Sequence, residues 1–159
     1  MRITIAAVGK IKERYLAEGI GEFTKRLTPF CRLDIVEVNE ERMPDSPAAA
    51  EKAKVLAREG ERLLRQVRPG SYLIVLDLAG SQLSSEQLAA RLDELALAGR
   101  SDITFVIGGA FGLAPEVTAA AKERLSFSRL TFTHQMIRLL LVEQLYRGFK
   151  ISRGEPYHW

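Results

Sequence analysis

The sequence predicts an α/β fold: a mainly parallel sheet with helices on both faces. Three observations carry this expectation. Strand-like and helix-like segments alternate from one end to the other, the strand-like segments are nearly all apolar, and two of them run into glycine turns that open the next helix. Apolar runs without polar alternation suit strands buried on both faces, as in a parallel sheet between two helix layers.

Each element has its own reason. Residues 2–8 (RITIAAV) form a β-branched apolar run ended by Gly9, and 12–28 then place Tyr15, Leu16, Ile20, Phe23 and Leu27 at helical spacing. Cys31–Val38 alternates apolar with polar and reads as a half-buried strand, followed by a loop, Met43–Pro47, holding two prolines. Residues 48–66 are rich in good helix formers, and Pro69-Gly70 marks the stop. Tyr72–Leu78 is a short apolar strand ending at Gly80. Ser84 with Gln87 makes a capping box that opens a helix running to about Ala98. Ile103–Ile107 repeats the strand pattern and leads through Gly108-Gly109-Ala110-Phe111-Gly112 to a helix with Pro115 and Glu116 in its first turn. Leu125–Phe132 reads as a short strand and loop, after which His134–Ser152 forms a final helix closed by Arg153-Gly154-Glu155-Pro156.

At 159 residues the chain suits one domain, 1–159, and its 47% apolar content is enough to bury a core. Without an apolar stretch long enough to span a bilayer, or an N-terminal block resembling a signal peptide, the expectation is a cytoplasmic protein with no membrane partner. One cysteine, Cys31, and two histidines, His134 and His158, leave too few ligands for a structural zinc site, so no metal is expected. Net charge is +3, but residues 71–123 carry 3 Lys/Arg against 7 Asp/Glu, while residues 124–159 carry 6 against 2. A basic segment following an acidic one points to a polyanionic partner or, more plainly, to a solvated basic face.

In a parallel sheet ligands collect beyond the carboxyl ends of the strands, which selects the loops after Leu78, Ile107 and Phe127. The GGAFG loop lets its backbone approach a ligand closely, and the same glycines equally suit a tight strand-to-helix turn. It lacks the spacing and the following acidic residue of a dinucleotide fingerprint. Residues 127–135 (FSRLTFTHQ) offer hydroxyls between apolar walls, which suits an uncharged heterocycle, with Thr133 placed to cap the last helix. That helix is apolar nearly all round, so a surface beyond the sheet must cover it, and a homodimer follows. Within it Glu143 and Arg147 are spaced to pair. The tail Tyr157-His158-Trp159 could stack on a nucleobase and handle its proton, or be a disordered end.

Taken together, ITIAAVGKIKERY, VIGGAFG, LSFSRLTFTHQMIRLLLVEQLYRGFKI and RGEPYH closely resemble the SPOUT-class pseudouridine N3-methyltransferases of 23S rRNA, over essentially the whole chain. The resemblance implies a C-terminal trefoil knot that binds S-adenosyl-L-methionine, completed by dimerisation, and a substrate reached on assembled ribosomes. By matching position it places the methyl donor against Leu76, Gly108, Phe127, Ser128, Arg129, Leu130, Thr131 and Phe132. It assigns the substrate side to Tyr157 and His158, with Arg138 and Arg147 as phosphate or loop-positioning residues. Methyl transfer from a sulfonium needs positioning and a deprotonated N3, not a metal, and His158 is the candidate proton acceptor. Two positions depart from the family pattern: Trp159 stands where a basic residue is usual, and Thr133 where proline is common. Two other classes compete with this reading. One is a non-catalytic ribosome-binding factor with a relic donor pocket. The other is a nucleotide-binding enzyme using GGAFG for phosphates, which the absence of a P-loop lysine disfavours.

Overall fold

A computed structural model describes residues 1–157. In chain order the elements are β1 (Arg2–Val8), α1 (Arg14–Leu27), β2 (Arg32–Val38), α2 (Ala49–Leu64), β3 (Tyr72–Gln82), α3 (Ser85–Leu97), β4 (Asp102–Ile107), α4 (Pro115–Ala120), β5 (Glu123–Ser126) and α5 (His134–Ser152). The strands lie in the order β2-β1-β4-β3-β5, every pairing parallel.

Strand side chains alternate between two apolar layers. Ile3, Ile5 and Ala7 of β1, Ile74 of β3, and Ile103, Phe105 and Ile107 of β4 meet α1, α3 and α5 on one face. Ala6, Val8, Leu73, Val75 and Val106 meet Leu63 of α2 and Val117 of α4 on the other. This two-sided burial is why the central strands read as unbroken apolar runs. Helix α5 packs against both α1 and α3. Its Gly148 lies against Ala89 and Leu92 of α3, where an added Cβ would sit 3.6–3.9 Å from their atoms. Because α5 has neighbours on two flanks as well as the sheet beneath, it is apolar nearly all round.

The capping box forms as the sequence predicts: Gln87 N donates to Ser84 Oγ at 3.1 Å, and Ser84 N donates to Gln87 Oε1 at 2.8 Å. Strand β3 departs from expectation by continuing past Gly80 to Gln82. Leu76 and Ser81 both pair with Leu125 of β5, so the four residues between them bulge out. A Cβ at Gly80 would lie 2.6 Å from the carbonyl of Arg124. Gly80 therefore permits the closest strand approach in this bulge, whereas a glycine after an apolar run reads in sequence as a stop. Strand β5 begins two residues before the expected Leu125 and ends at Ser126, with the remainder in loop.

Candidate functional site: a cavity at the carboxyl edge of the sheet

The loops after β3, β4 and β5 close around a cavity of about 1040 Å³. Leu76, Gly108, Phe127, Ser128, Leu130, Thr131 and Phe132 line it, and Arg129 is not among the lining residues. Leu130 N donates to Ser128 Oγ at 2.9 Å, closing a tight turn that carries Arg129 past the wall. Glu13, Tyr15 and Leu16 at the start of α1 and Asp77 also line the cavity, and sequence reasoning missed them; His134, within the 127–135 segment, lines it too. The loop after β1 opens on the same sheet edge because β1 lies beside β4, a placement set by strand order and carried by no local sequence signal.

The glycine loop folds on itself. Gly112 N donates to Gly109 O at 3.1 Å, Gly112 has φ +87°, and a Cβ at Gly108 would sit 2.5 Å from Gly112 O. The tight turn therefore demands these glycines, and the same turn brings Gly108, Gly109 and Gly112 to the cavity wall. In the loop after β5 the hydroxyls are spent mainly on backbone. Ser126 Oγ donates to Ser128 O at 3.0 Å, and Thr133 Oγ1 accepts from Met136 N at 3.1 Å as the cap of α5. Among the described residues Thr131 has no such partner, leaving its hydroxyl for a ligand.

Arg138 sits beneath this edge rather than on it. Its side chain is 1% exposed; Nη1 donates to Glu37 Oε2 at 2.8 Å, and Nη2 donates to the carbonyls of Val8 and Gly9, each at 2.8 Å. Ile11 N donates to the same Glu37 oxygen at 2.8 Å, and Lys12 N donates to Gln135 Oε1 at 3.0 Å. The loop from β1 to Glu13 is thus pinned by side chains of β2 and α5. A guanidinium this buried, with both Nη atoms engaged and only Nε unpartnered, meets a carboxylate and two carbonyls, not an external phosphate. His134, beside it at the head of α5, has its imidazole pKa pushed below the ordinary 6.5 by burial and by the Arg138 charge.

A second cluster stands farther along α5. Arg147 donates to Glu143 Oε1 through Nη2 at 2.6 Å and Nε at 3.1 Å, and Tyr157 Oη donates to the same oxygen at 2.9 Å. The Tyr157 ring lies edge-on to Tyr146 at 4.8 Å, with the Arg147 guanidinium 4.7 Å from its centre. Burial and the hydrogen bond to Glu143 raise the Tyr157 phenol above its ordinary pKa. Arg147 and Tyr157 are therefore brought together, around a Glu143 that the sequence marked only as a helix pair. His158 lies outside the described residues. Neither Arg147 nor Tyr157 lines the cavity. His134 and Arg147 are 13 positions apart on one helix, roughly 20 Å at 1.5 Å per residue.

Among the described residues no group of three or more His, Cys, Asp or Glu is placed to hold a metal ion, and no helix is long and apolar enough to cross a membrane. Such a parallel sheet with a cavity built by loops at its carboxyl edge defines a ligand-binding α/β protein, and comparison makes the class specific. The chain belongs to the SPOUT methyltransferase family, whose description, "Predicted SPOUT methyltransferase", matches residues 1–158. It is similar to "Ribosomal RNA large subunit methyltransferase H" of Pelotomaculum thermopropionicum, 57% identical over 99% of this chain and 98% of that one. The protein of the same name from Carboxydothermus hydrogenoformans is 54% identical over 99% of both chains. The fold is shared with the crystal structure of a "Probable Methyltransferase from Bordetella pertussis Tohama I", at a TM-score of 0.55 and 16% identity, over 92% of this chain and 95% of that one.

Proposed function

We propose that the protein is an S-adenosyl-L-methionine-dependent rRNA methyltransferase that methylates N3 of a pseudouridine in 23S rRNA, acting in the cytoplasm on assembled ribosomes as a homodimer. The observation that carries this reading is the cavity itself. Its walls fit the donor: Leu76, Leu125 and Phe127 offer apolar surface for a purine, loop backbone and Thr131 offer polar atoms for its edge, and Glu13 supplies a carboxylate near a cationic ligand. When bound, S-adenosyl-L-methionine supplies an activated methyl group on a sulfonium.

The chain's own residues then have distinct tasks. The loops holding Leu76, Gly108 and Phe127–Phe132 bind and orient the donor, and Arg138 with Glu37 fixes the adjoining loop. Tyr157, held by Glu143 and edge-on to Tyr146, presents a ring to the target base, and Arg147 supplies positive charge beside it. His158, next in the chain, accepts the N3 proton; an N3 that keeps its proton has no free electron pair in line for the methyl. The separation between the cavity and the Glu143 cluster supports a homodimer, in which one copy's cavity meets the other copy's Tyr157. Large apolar side chains at the cavity rim also support it: Leu78, Leu130 and Phe132 are 63%, 72% and 43% exposed. A single SPOUT domain over 1–159, with its C-terminal segment knotted through the loops that form the cavity, completes the proposal.

The test is calorimetric titration with S-adenosyl-L-methionine, followed by incubation with 70S ribosomes lacking the modification and mass analysis of the 23S rRNA. The reading expects donor binding and one added methyl on a pseudouridine. Donor binding without methyl transfer would leave a ribosome-binding factor with a relic pocket, and absence of both would overturn the assignment. His158→Ala is expected to abolish turnover while sparing donor affinity.

A further inference from the structure

The basic C-terminal segment carries more positive charge than the proposed chemistry uses. The fold also brings to its end the last turn of α1, which contributes Lys25 and Arg26. Arg26 and Lys150 both stand 5.9 Å from the centre of the Tyr146 ring. Beside them Phe30 stacks on Phe149 at 5.7 Å with planes 23° apart, and the Arg153 guanidinium lies 4.4 Å from the Phe30 ring centre. This juxtaposition of two chain segments, separated by over a hundred residues, makes one strip of cations laid over aromatic faces. The strip is continuous with Tyr157 through the Tyr146 ring.

We infer that this strip, built from Arg26, Phe30, Lys150 and Arg153, is a docking surface for single-stranded RNA flanking the methylated nucleotide. The inference rests on the rRNA reading above and adds to it the place where the strand is held. Three features select RNA. Arg26 with Glu22 and Arg153 with Glu155 are exposed ion pairs that phosphates can replace at little cost, while Lys150, 17% exposed, adds charge beneath them. Arg26 and Arg153 present planar guanidinium groups, which pair with phosphate in bidentate fashion and stack on bases, as a lysine cannot. The aromatic rings beneath them hold those planes at the surface, the arrangement by which single strands are bound without reading their sequence. An acidic protein would use the charges but gain nothing from the aromatic platform.

The test is the double variant Arg26→Ala, Arg153→Ala, neither of which lines the cavity or hydrogen-bonds to the Glu143 cluster, with folding checked by its thermal transition. Two assays are run. In the first, a short labelled single-stranded RNA is titrated at low salt and its anisotropy followed. In the second, methylation kinetics are measured on unmodified 70S ribosomes. The inference expects the variant to bind the labelled RNA at least about tenfold more weakly and to lose about 1.4 from the log–log salt slope, about 0.7 per phosphate contact removed from a single strand. It also expects a raised KM for ribosomes with kcat and donor affinity unchanged. Arg153→Lys, which keeps charge and loses the plane, should retain the salt slope and still weaken binding. A double variant with unchanged RNA affinity, salt slope and KM overturns the surface while leaving the methyltransferase reading intact. If the unsubstituted protein binds the labelled RNA through this strip but methylates no ribosome, the surface stands and the functional reading falls.

Discussion

Arg138 shows how much one side chain can do by staying buried. Its guanidinium joins β2, the end of β1 and α5, and through Glu37 it reaches the backbone of Ile11, at the start of the loop that ends in cavity-lining Glu13. Replacement by leucine strands the Val8 and Gly9 carbonyls, while Glu37, 37% exposed, keeps its bond from Ile11 N. The expected loss is about 1 to 3 kcal/mol in urea denaturation, the scale for leaving buried acceptors unpaired. Arg138→Lys, with a point charge in place of a fork, should recover only part of that loss and still weaken donor binding. His134 gives a pH prediction whose sign follows from burial. The folded imidazole has a pKa below 6.5, so below that pH the unfolded chain takes up a proton the folded chain refuses, and stability falls with pH. His134→Gln removes this contribution, and its thermal midpoint should drop less than that of the unsubstituted protein between about pH 7 and 5. Buried Cys31, whose thiol is pushed up to about 11 by desolvation, should resist alkylation in the folded protein at pH 8 and react on unfolding.

At the scale of elements, the cap of α3 is the cleanest local test. Ser84→Ala removes one half of a reciprocal pair and should cost about 1 kcal/mol, read as a lower denaturation midpoint with unchanged slope. That helix was legible because its signal lies within four residues, and the strands were legible because burial on both faces leaves unbroken apolar runs. What could not be read depends on contacts between distant segments. The extension of β3 past Gly80 exists because β5 passes against that glycine's backbone, a pairing no local pattern encodes. The cavity loops after β3, β4 and β5 were found from the strand-end rule alone. The loop after β1 was missed because the order β2-β1-β4-β3-β5 places it at the cavity, and strand order is not written in periodicity. Glu143 was explained too easily by its neighbour Arg147. Its other partner in the cluster, Tyr157, arrives 14 residues later by a turn after α5.

Across the whole molecule, exposed apolar side chains gather at the cavity rim. On the homodimer reading, Leu130→Glu places a charge in the surface between copies. Sedimentation should then show a shift toward monomer, together with weaker donor binding; a variant that remains dimeric at micromolar concentration would move the interface elsewhere. A different consequence follows from the position of α5, late in the chain yet lodged between α1 and α3 over the sheet. All five strands precede it, so a chain folding from its N-terminus must hold a long apolar trough open until this helix arrives. Leu141, Val142 and Leu145, all fully buried in the finished fold, are the groups that fill that trough. Termination between Ser126 and His134 therefore leaves a complete sheet with an open apolar trough between α1 and α3, a species expected to aggregate or recruit chaperones rather than persist. The late helix also carries Arg138, the Glu143 cluster and the cap at Thr133, so the protein acquires its site and its solubility in the same final step.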